Sequence, residues 1–263
     1  MLKISIITPS YNAKKFIEDC IQSVLCQNYP NFEHIIIDGG STDGTIEILK
    51  KYPHLKWISE SDKGQSDALN KGVKMADGDI IGWLNADDYY LPGMFYKVVK
   101  ELEKNPDMDV FFSDCIFVDG NNRFLRLKRE PGFNRKLLLY YGCYIPTVST
   151  FFNMRNINKK DLMFNVNLHN VMDFDLFLGL NKKGYKFIYY NDIWGVYRLY
   201  KENKTIALAD QRKKERFLVQ KKYSKIVFKI NIFNKIYFEI LRIIFKIYHI
   251  LLKIIQRKYF VKK

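Results

Sequence analysis

Two adjacent carboxylates, Asp87 and Asp88, follow the run Gly78-Asp79-Ile80-Ile81-Gly82-Trp83-Leu84-Asn85-Ala86. The apolar segment reads as a short buried strand, which puts the acids where that strand stops. In an open α/β sheet, ligands bind beyond the carboxyl ends of strands. Carboxylates held this close repel unless a cation neutralises them, and Mg²⁺ binds through one or two carboxylates plus substrate phosphates. Such a pair can therefore do metal-assisted work on a phosphorylated substrate; without a cation it is a solvated polar turn. Further on, Val171-Met172-Asp173-Phe174-Asp175-Leu176 carries two acids two apart within a helical apolar pattern. Residues two apart on a helix point away from each other, so at most one of them faces a cleft. That one could remove a proton; the alternative is that both simply favour the helix N-terminus.

The elements around these acids alternate. Lys3 to Thr8 is a near-continuous apolar run, as a central parallel strand should be, and Pro9-Ser10-Tyr11-Asn12 breaks it. Helical spacing follows from Ala13 to Gln27, a second strand from Phe32 to Ile37, a short helix from Thr45 to Lys51, a third strand from Leu55 to Ser59 and a helix from Ser66 to Met75. Strand–helix alternation indicates a doubly wound α/β layer. Asp38, at the second strand's carboxyl end, can accept a hydrogen bond from a base or ribose, and Asp43 suits a structural cap. The loop Asp38-Gly39-Gly40-Ser41-Thr42-Asp43-Gly44-Thr45 fits neither a dinucleotide fingerprint nor a P-loop. Beyond it come a helix from Pro92 to Asn105, a strand from Asp109 to Val118, a charged excursion from Arg123 to Glu130, a short helix from Asn134 to Tyr141 and a strand from Thr147 to Asn153. A strand pair, Tyr185 to Tyr190 and Ile193 to Tyr197, ends the alternation.

Charge divides the 263 residues. Residues 1–120 carry 12 Lys/Arg against 19 Asp/Glu, a net of −7, whereas residues 121–263 carry 31 against 9, a net of +22. The acidic half suits metal and phosphate chemistry; the basic half suits an anionic partner, either nucleic acid or a membrane surface. Four cysteines show no metal spacing and read as reduced thiols. Met1-Leu2-Lys3 runs straight into a strand without a leader pattern, so the expectation is cytosolic residence. His34, His54, His169 and His249 are scattered and read as surface or packing residues.

Thr8-Pro9-Ser10-Tyr11-Asn12, the Asp38 to Thr45 loop, Asn70-Lys71-Gly72, Gly78-Asp79 and Asn85-Ala86-Asp87-Asp88 together resemble the family 2 nucleotide-sugar glycosyltransferases of the GT-A fold, over about residues 3–120. The resemblance implies a mixed, mainly parallel doubly wound sheet with helices on both faces, a nucleotide-sugar donor, usually UDP-linked, and Mn²⁺ or Mg²⁺. It implies that Pro9, Tyr11 and Asp38 frame the nucleotide and that Asn70 belongs to the donor site. It places Asp87 and Asp88 on the ribose and the diphosphate metal, with Asn85 where the family often has a first Asp. Glu60 to Asp67 is similar to a loop that closes on the donor, with Asp62 as its contact. Asp173 matches the family's catalytic base, with Met172 in place of the usual Glu and Asp175 left as helix surface or cap. Arg198 matches a family Arg-x-His, but Tyr200 stands at the His. The implied reaction is an inverting single displacement onto a glycan, lipid-linked as in bacterial surface-polysaccharide assembly. A nucleotidyltransferase would carry a Gly-rich basic loop after the first strand, and a nucleic-acid-binding protein a recognisable reading motif; neither is present.

The last forty residues differ. From Ser224 to Lys263 there are ten Lys/Arg and one acid, Glu239. Lys235, Glu239, Arg242, Lys246, His249, Lys253 and Arg257 recur at steps of four and three, a narrow polar stripe on an otherwise apolar amphipathic helix. This composition fits a helix lying on an anionic membrane. The expected division is thus a catalytic unit 1–223, with donor half 1–120 and acceptor half 121–223, and a tail 224–263 that holds the protein peripherally on the inner face of the cell membrane. The oligomeric state stays open.

Overall fold

The computed structural model describes residues 1–201, 209–226 and 231–260. Its first half follows the predicted alternation: β1 (Ile4–Ser10), α1 (Ile17–Leu25), β2 (Phe32–Asp38), α2 (Thr45–Leu49), β3 (Leu55–Ser59), α3 (Gln65–Met75) and β4 (Ile80–Trp83). The chain continues through β5 (Tyr89–Tyr90), α4 (Met94–Lys104), β6 (Val110–Asp119), β7 (Phe124–Lys128), α5 (Arg135–Tyr141), β8 (Thr150–Asn153), α6 (Met172–Lys182) and β9 (Phe187–Leu199). Two C-terminal helices follow, α7 (Ala209–Tyr223) and α8 (Asn231–Phe260).

The strands form one sheet in the order β3-β2-β1-β4-β8-β6-β9-β5, with β7 paired to β6 outside that path. The β1–β2, β2–β3, β1–β4 and β6–β9 pairs are parallel, whereas β8 runs antiparallel to both β4 and β6. β1 is buried at every position, which is why its sequence is a run and not an alternation. Helices pack through stripes such as Ile17, Cys20, Ile21 and Val24 of α1, the 3.6-residue spacing of an amphipathic helix. α3 approaches β1 so closely that a Cβ on Gly72 would stand 2.3 Å from Ile7 Cγ2, so only glycine fits there.

Four readings change. Arg123 to Glu130 contains a real strand, β7, in a hairpin with β6. The expected strand pair at 185–197 is one strand, β9, whose register against β6 slips at Ser113–Cys115. The predicted strand from Thr147 opens as a 3-10 turn over Thr147–Ser149 before β8 begins. α7 carries little amphipathic signal and was not anticipated. The four cysteines are all free thiols.

Candidate active site

A cleft of about 640 Å³ opens where β1 and β4 end, walled on the far side by the start of α6, the end of β9 and α7. Pro9 and Tyr11, from the turn after β1, line it, and Tyr11 is 67% exposed. Asn85 and Asp87 line it from the turn after β4, and Asp173 reaches it from the first turn of α6. Pro9, Tyr11, Asn85, Asp87 and Asp173, all singled out in the sequence, therefore meet in one cavity.

The other four take different places. Asp88 is buried: one carboxylate oxygen accepts from Arg198 N at 2.9 Å and the other from Asn85 Nδ2 at 2.9 Å. It stiffens the turn from inside, and Asp87 is the member of the pair that faces the cleft. Asp38 is also fully buried, accepting from the backbone N of Gly40 and Ser41 and from the hydroxyls of Ser41 and Ser59. It anchors its own loop and does not line the cleft. The Asn70 side chain is taken up by Phe164: its amide donates to Phe164 O at 2.9 Å and accepts from Phe164 N at 2.7 Å. It is a two-way clamp between α3 and a distant loop. Asp62 accepts from Gly64 N, and its Oδ2 would stand 2.9 Å from a Cβ on Gly39 while Tyr11 Cδ2 would stand 3.4 Å away. Gly39 thus leaves a slot with Asp62 and the Tyr11 ring about it.

Burial pushes the Asp87 carboxyl above the ordinary carboxylate range, with the Tyr200 hydrogen bond pulling back. Burial and then the neighbouring Asp87 charge push Asp88 up further. A buried acid pair of this kind is stabilised by a cation. Among the described residues no group of three or more His, Cys, Asp or Glu side chains is placed so that it could hold a metal ion by itself. The pair nonetheless fits Mg²⁺ or Mn²⁺, because such ions complete their shells with substrate phosphates and water.

Arg198 organises the turn. Its side chain is wholly buried, donates to Asp87 O at 2.8 Å, to Asp19 Oδ2 at 2.7 Å and to Asn122 Oδ1 at 2.8 Å, and stacks 4.3 Å from the Phe16 ring centre. The Tyr200 hydroxyl donates to Asp87 Oδ2 at 2.9 Å, so the tyrosine at the family's His position still touches the acid pair. Asn85 accepts from Gln65 Nε2 and Trp83 Nε1, both at 2.8 Å, while donating to Asp88. An acid at position 85 would face Asp88 with like charge, which gives Asn its physical reason here.

Asp173 accepts from Phe174 N at 2.7 Å, and burial raises its carboxyl above the ordinary value against the hydrogen bonds of Phe174 N and the Cys143 thiol. Asp175 points elsewhere, as residues two apart must. It is neither surface nor cap but buried, paired with Lys222 of α7 at 2.8 Å. His34 and His249 are buried packing residues as expected, but His169 lines the cleft beside Asn170. The backbone N of both 169 and 170 donates to Glu215 of α7, and Arg212, one turn earlier, lines the same wall. No local motif announces these residues, because Glu215 joins them across 45 positions.

The sequence profile described as Glycosyl transferase family 2 matches residues 5–162. Chondroitin synthase of Pasteurella multocida (strain Pm70) is 30% identical over 223 residues, covering 82% of this chain and 22% of its own length. The putative teichuronic acid biosynthesis glycosyltransferase TuaG of Bacillus subtilis (strain 168) is 39% identical over 116 residues, 42% of this chain and 44% of its own. The chain spans about a fifth to a third of the length of chondroitin synthase from two sources and of a hyaluronan synthase. In structure, S. aureus TarS 1-349 in complex with UDP-GlcNAc superposes with a TM-score of 0.65 at 19% identity, covering 86% of this chain and 68% of that one. Mannosyltransferase PcManGT from Pyrobaculum calidifontis, in complex with GDP-Man and Mn²⁺, gives 0.62 at 18% identity, covering 86% and 66%. At these identities the two structures show a shared fold, the mixed α/β sheet of GT-A glycosyltransferases.

Proposed function

The chain belongs to glycosyl transferase family 2, and from that premise we propose an inverting transferase that moves a sugar from a UDP-linked donor to a glycan acceptor. The observation that carries this reading is that Tyr11, Asp87 and Asp173 line one cleft. Enzyme membership of this family replaces the nucleotidyltransferase and the non-enzymatic nucleic-acid-binding alternatives.

In this reading the base lies by Tyr11 and Pro9, with Asp62 at the Gly39 slot and Asp38 holding that loop in shape. Asp87, backed by Asp88, would hold Mn²⁺ or Mg²⁺, which supplies positive charge to a departing diphosphate. Arg198 keeps the turn in place for it. Asp173 takes the proton of the acceptor hydroxyl as that oxygen attacks the anomeric carbon, and the sugar's bond to the nucleoside diphosphate breaks in the same step. Burial around Asp173 brings its basicity nearer to working pH, which favours this role.

Polysaccharide synthases and a teichuronic acid glycosyltransferase among the relatives support a glycan acceptor, for which a lipid-linked glycan is the proposal. UDP and UDP-GlcNAc in the TarS structures support a UDP donor. Residues 1–120 are assigned to the donor, 121–223 to the acceptor, and 224–263 to the anionic inner face of the cell membrane. No helix among the described residues is long and apolar enough to cross a membrane.

The test is thermal unfolding with UDP, dTDP or GDP, each with and without Mn²⁺. A ligand at about 100 times its Kd stabilises the native state by about 2.7 kcal/mol. UDP with Mn²⁺ should raise the melting temperature most, and Asp87→Ala should abolish the metal-dependent part. No response to any nucleotide with metal would contradict the reading.

A further inference from the structure

α8 is mounted inside out. Its inward row includes Asn234, Phe238 and His249, all buried, with Phe245 half-buried 5.2 Å from the Tyr140 ring of α5. Polar residues do much of the fastening. His249 Nε2 lies 2.7 Å from Glu130 Oε2, Lys253 Nζ lies 3.3 Å from the same oxygen, and Glu130 is 1% exposed. Glu239 pairs with Arg216 of α7 at 3.1 Å. Two members of the polar stripe expected on the membrane, His249 and Lys253, are therefore taken up by the protein itself.

The opposite face is a row of branched apolar side chains. Ile236, Ile240, Ile243, Ile247, Ile250 and Ile254, at steps of four and three, are each 45–61% exposed. A monomer rarely leaves so continuous an apolar strip in water. Charge frames it on both sides. One flank of the helix carries exposed Lys235 and Lys246; along the other, Arg135 and Lys136 of α5 share a groove with Ile244, Phe245 and Tyr248. Among the described residues Lys136, Lys235 and Lys246 form no ion pair, while Arg135 donates to Tyr223 O. From Ile236 to Ile254 the strip runs about 27 Å along the helix.

We propose that this outward isoleucine row lies in the headgroup boundary of an anionic bilayer, with Lys136 and Arg135 on one side and Lys235 and Lys246 on the other taking lipid phosphates. The helix is fixed to the catalytic body through the Glu130 cluster. This rests on the membrane reading above and adds two things to it: the face that meets lipid, and a rigid mounting. The basic residues framing the strip match an anionic surface, whereas a second copy of this chain would bring like charges together across a two-fold contact. A rigid mounting holds the catalytic cleft at a set attitude to the bilayer, which suits an acceptor presented there.

The experiment uses the full chain and sedimentation with phosphatidylglycerol or phosphatidylcholine vesicles. The wild type should pellet with the anionic vesicles. Ile243→Asp with Ile247→Asp should lower that binding at least about tenfold while melting temperature and metal-dependent UDP binding stay unchanged. Lys136→Glu with Lys246→Glu should remove the preference for the anionic lipid. Glu130→Gln should release α8, seen as faster amide exchange across Phe238 to Leu252, with vesicle binding retained. Failure of the wild type to pellet overturns the membrane reading itself. Pelleting that survives the isoleucine double substitution overturns the assigned face, and a wild-type dimer that this substitution splits makes a second copy the occupant. Unchanged exchange in Glu130→Gln overturns the mounting. None of these outcomes depends on UDP binding, which tests the glycosyltransferase reading separately.

Discussion

The two halves of this molecule build the same cleft by different means. In residues 1–120 the cleft residues sit in short turns directly after parallel strands: Tyr11 after β1 and Asp87 after β4. In residues 121–263 Asp173 is set by its own helix turn, but other contacts around the cleft come from partners far away in sequence. Arg198 fastens the Asp87–Asp88 turn across more than a hundred positions, and Glu215 fastens residues 169–170 from α7. The first half is acidic and sets its cleft residues in short turns after strands; the second is basic and supplies long-range pairings, including the one that fastens the first half's Asp87–Asp88 turn.

The largest expected effect breaks the link between the halves. Arg198→Ala removes a wholly buried side chain that donates to Asp87 O and Asn122 and packs on Phe16, while half-exposed Asp19 regains water; the lost packing and hydrogen bonds cost about 3 kcal/mol. Thermal or denaturant unfolding measures it, and a loss below about 1 kcal/mol would mean the turn is held from the first half alone.

Next come Asp87 and Asp88, adjacent residues with opposite expected signatures. Asp87→Ala should weaken metal-dependent nucleotide binding by about 100-fold or more, equivalent to about 2.7 kcal/mol, without loss of stability. Asp88→Ala should cost stability by about 1–3 kcal/mol, because Arg198 N and Asn85 lose their acceptor. Calorimetric titration and melting curves separate the two.

A pH experiment probes the seam between the halves, where Asp114 of β6 accepts from Glu130 N and the Tyr189 hydroxyl. Burial raises the Asp114 carboxyl from 3.8 to about 6, against those hydrogen bonds. An acid whose folded pKa lies above its unfolded value favours folding when protonated; that advantage is full below about 4 and lost as pH rises through about 6. Asp114→Asn keeps an acceptor for both donors and does not ionise. Its unfolding free energy should therefore gain on the wild type as pH rises through that window, by an amount on the order of 3 kcal/mol, read from denaturant unfolding at each pH. A difference that stays flat with pH would show that Asp114 titrates as an exposed carboxylate does.

The smallest effect concerns Asn70. Asn70→Ala strands the N–H and C=O of Phe164, costing about 1–2 kcal/mol, while nucleotide affinity should hold within about threefold. A large loss of affinity with normal stability would return Asn70 to the donor site.

The same contrast explains what the sequence made legible. Strand runs, helix stripes and turns after strands depend on neighbours within a few residues, so β1 to β4 and the positions of Pro9, Tyr11, Asp87 and Asp173 could be read directly. Two apart on α6, Asp173 and Asp175 had to diverge, and they do. The resemblance implies donor roles for Asp38 and Asn70, whereas the structure shows their side-chain groups taken up by Ser41, Ser59 and Phe164. Pairings across tens of residues leave no periodicity, so α7's Glu215 and Arg212 were invisible. For α8 the stripe was legible and its direction was not, because which face turns inward depends on Glu130.

The central claim, that the first half holds the donor and the second half performs the transfer, is tested most directly by single-turnover transfer with Asp173→Asn, using an acceptor glycan found by screening. Donor affinity in the presence of Mn²⁺ should match the wild type, while transfer falls by about 10²-fold or more, the scale of losing a general base. Wild-type transfer should rise with pH through a midpoint above the ordinary carboxylate value, as burial of Asp173 requires. Transfer retained in Asp173→Asn, or abolished instead by Asp175→Asn, would contradict the account.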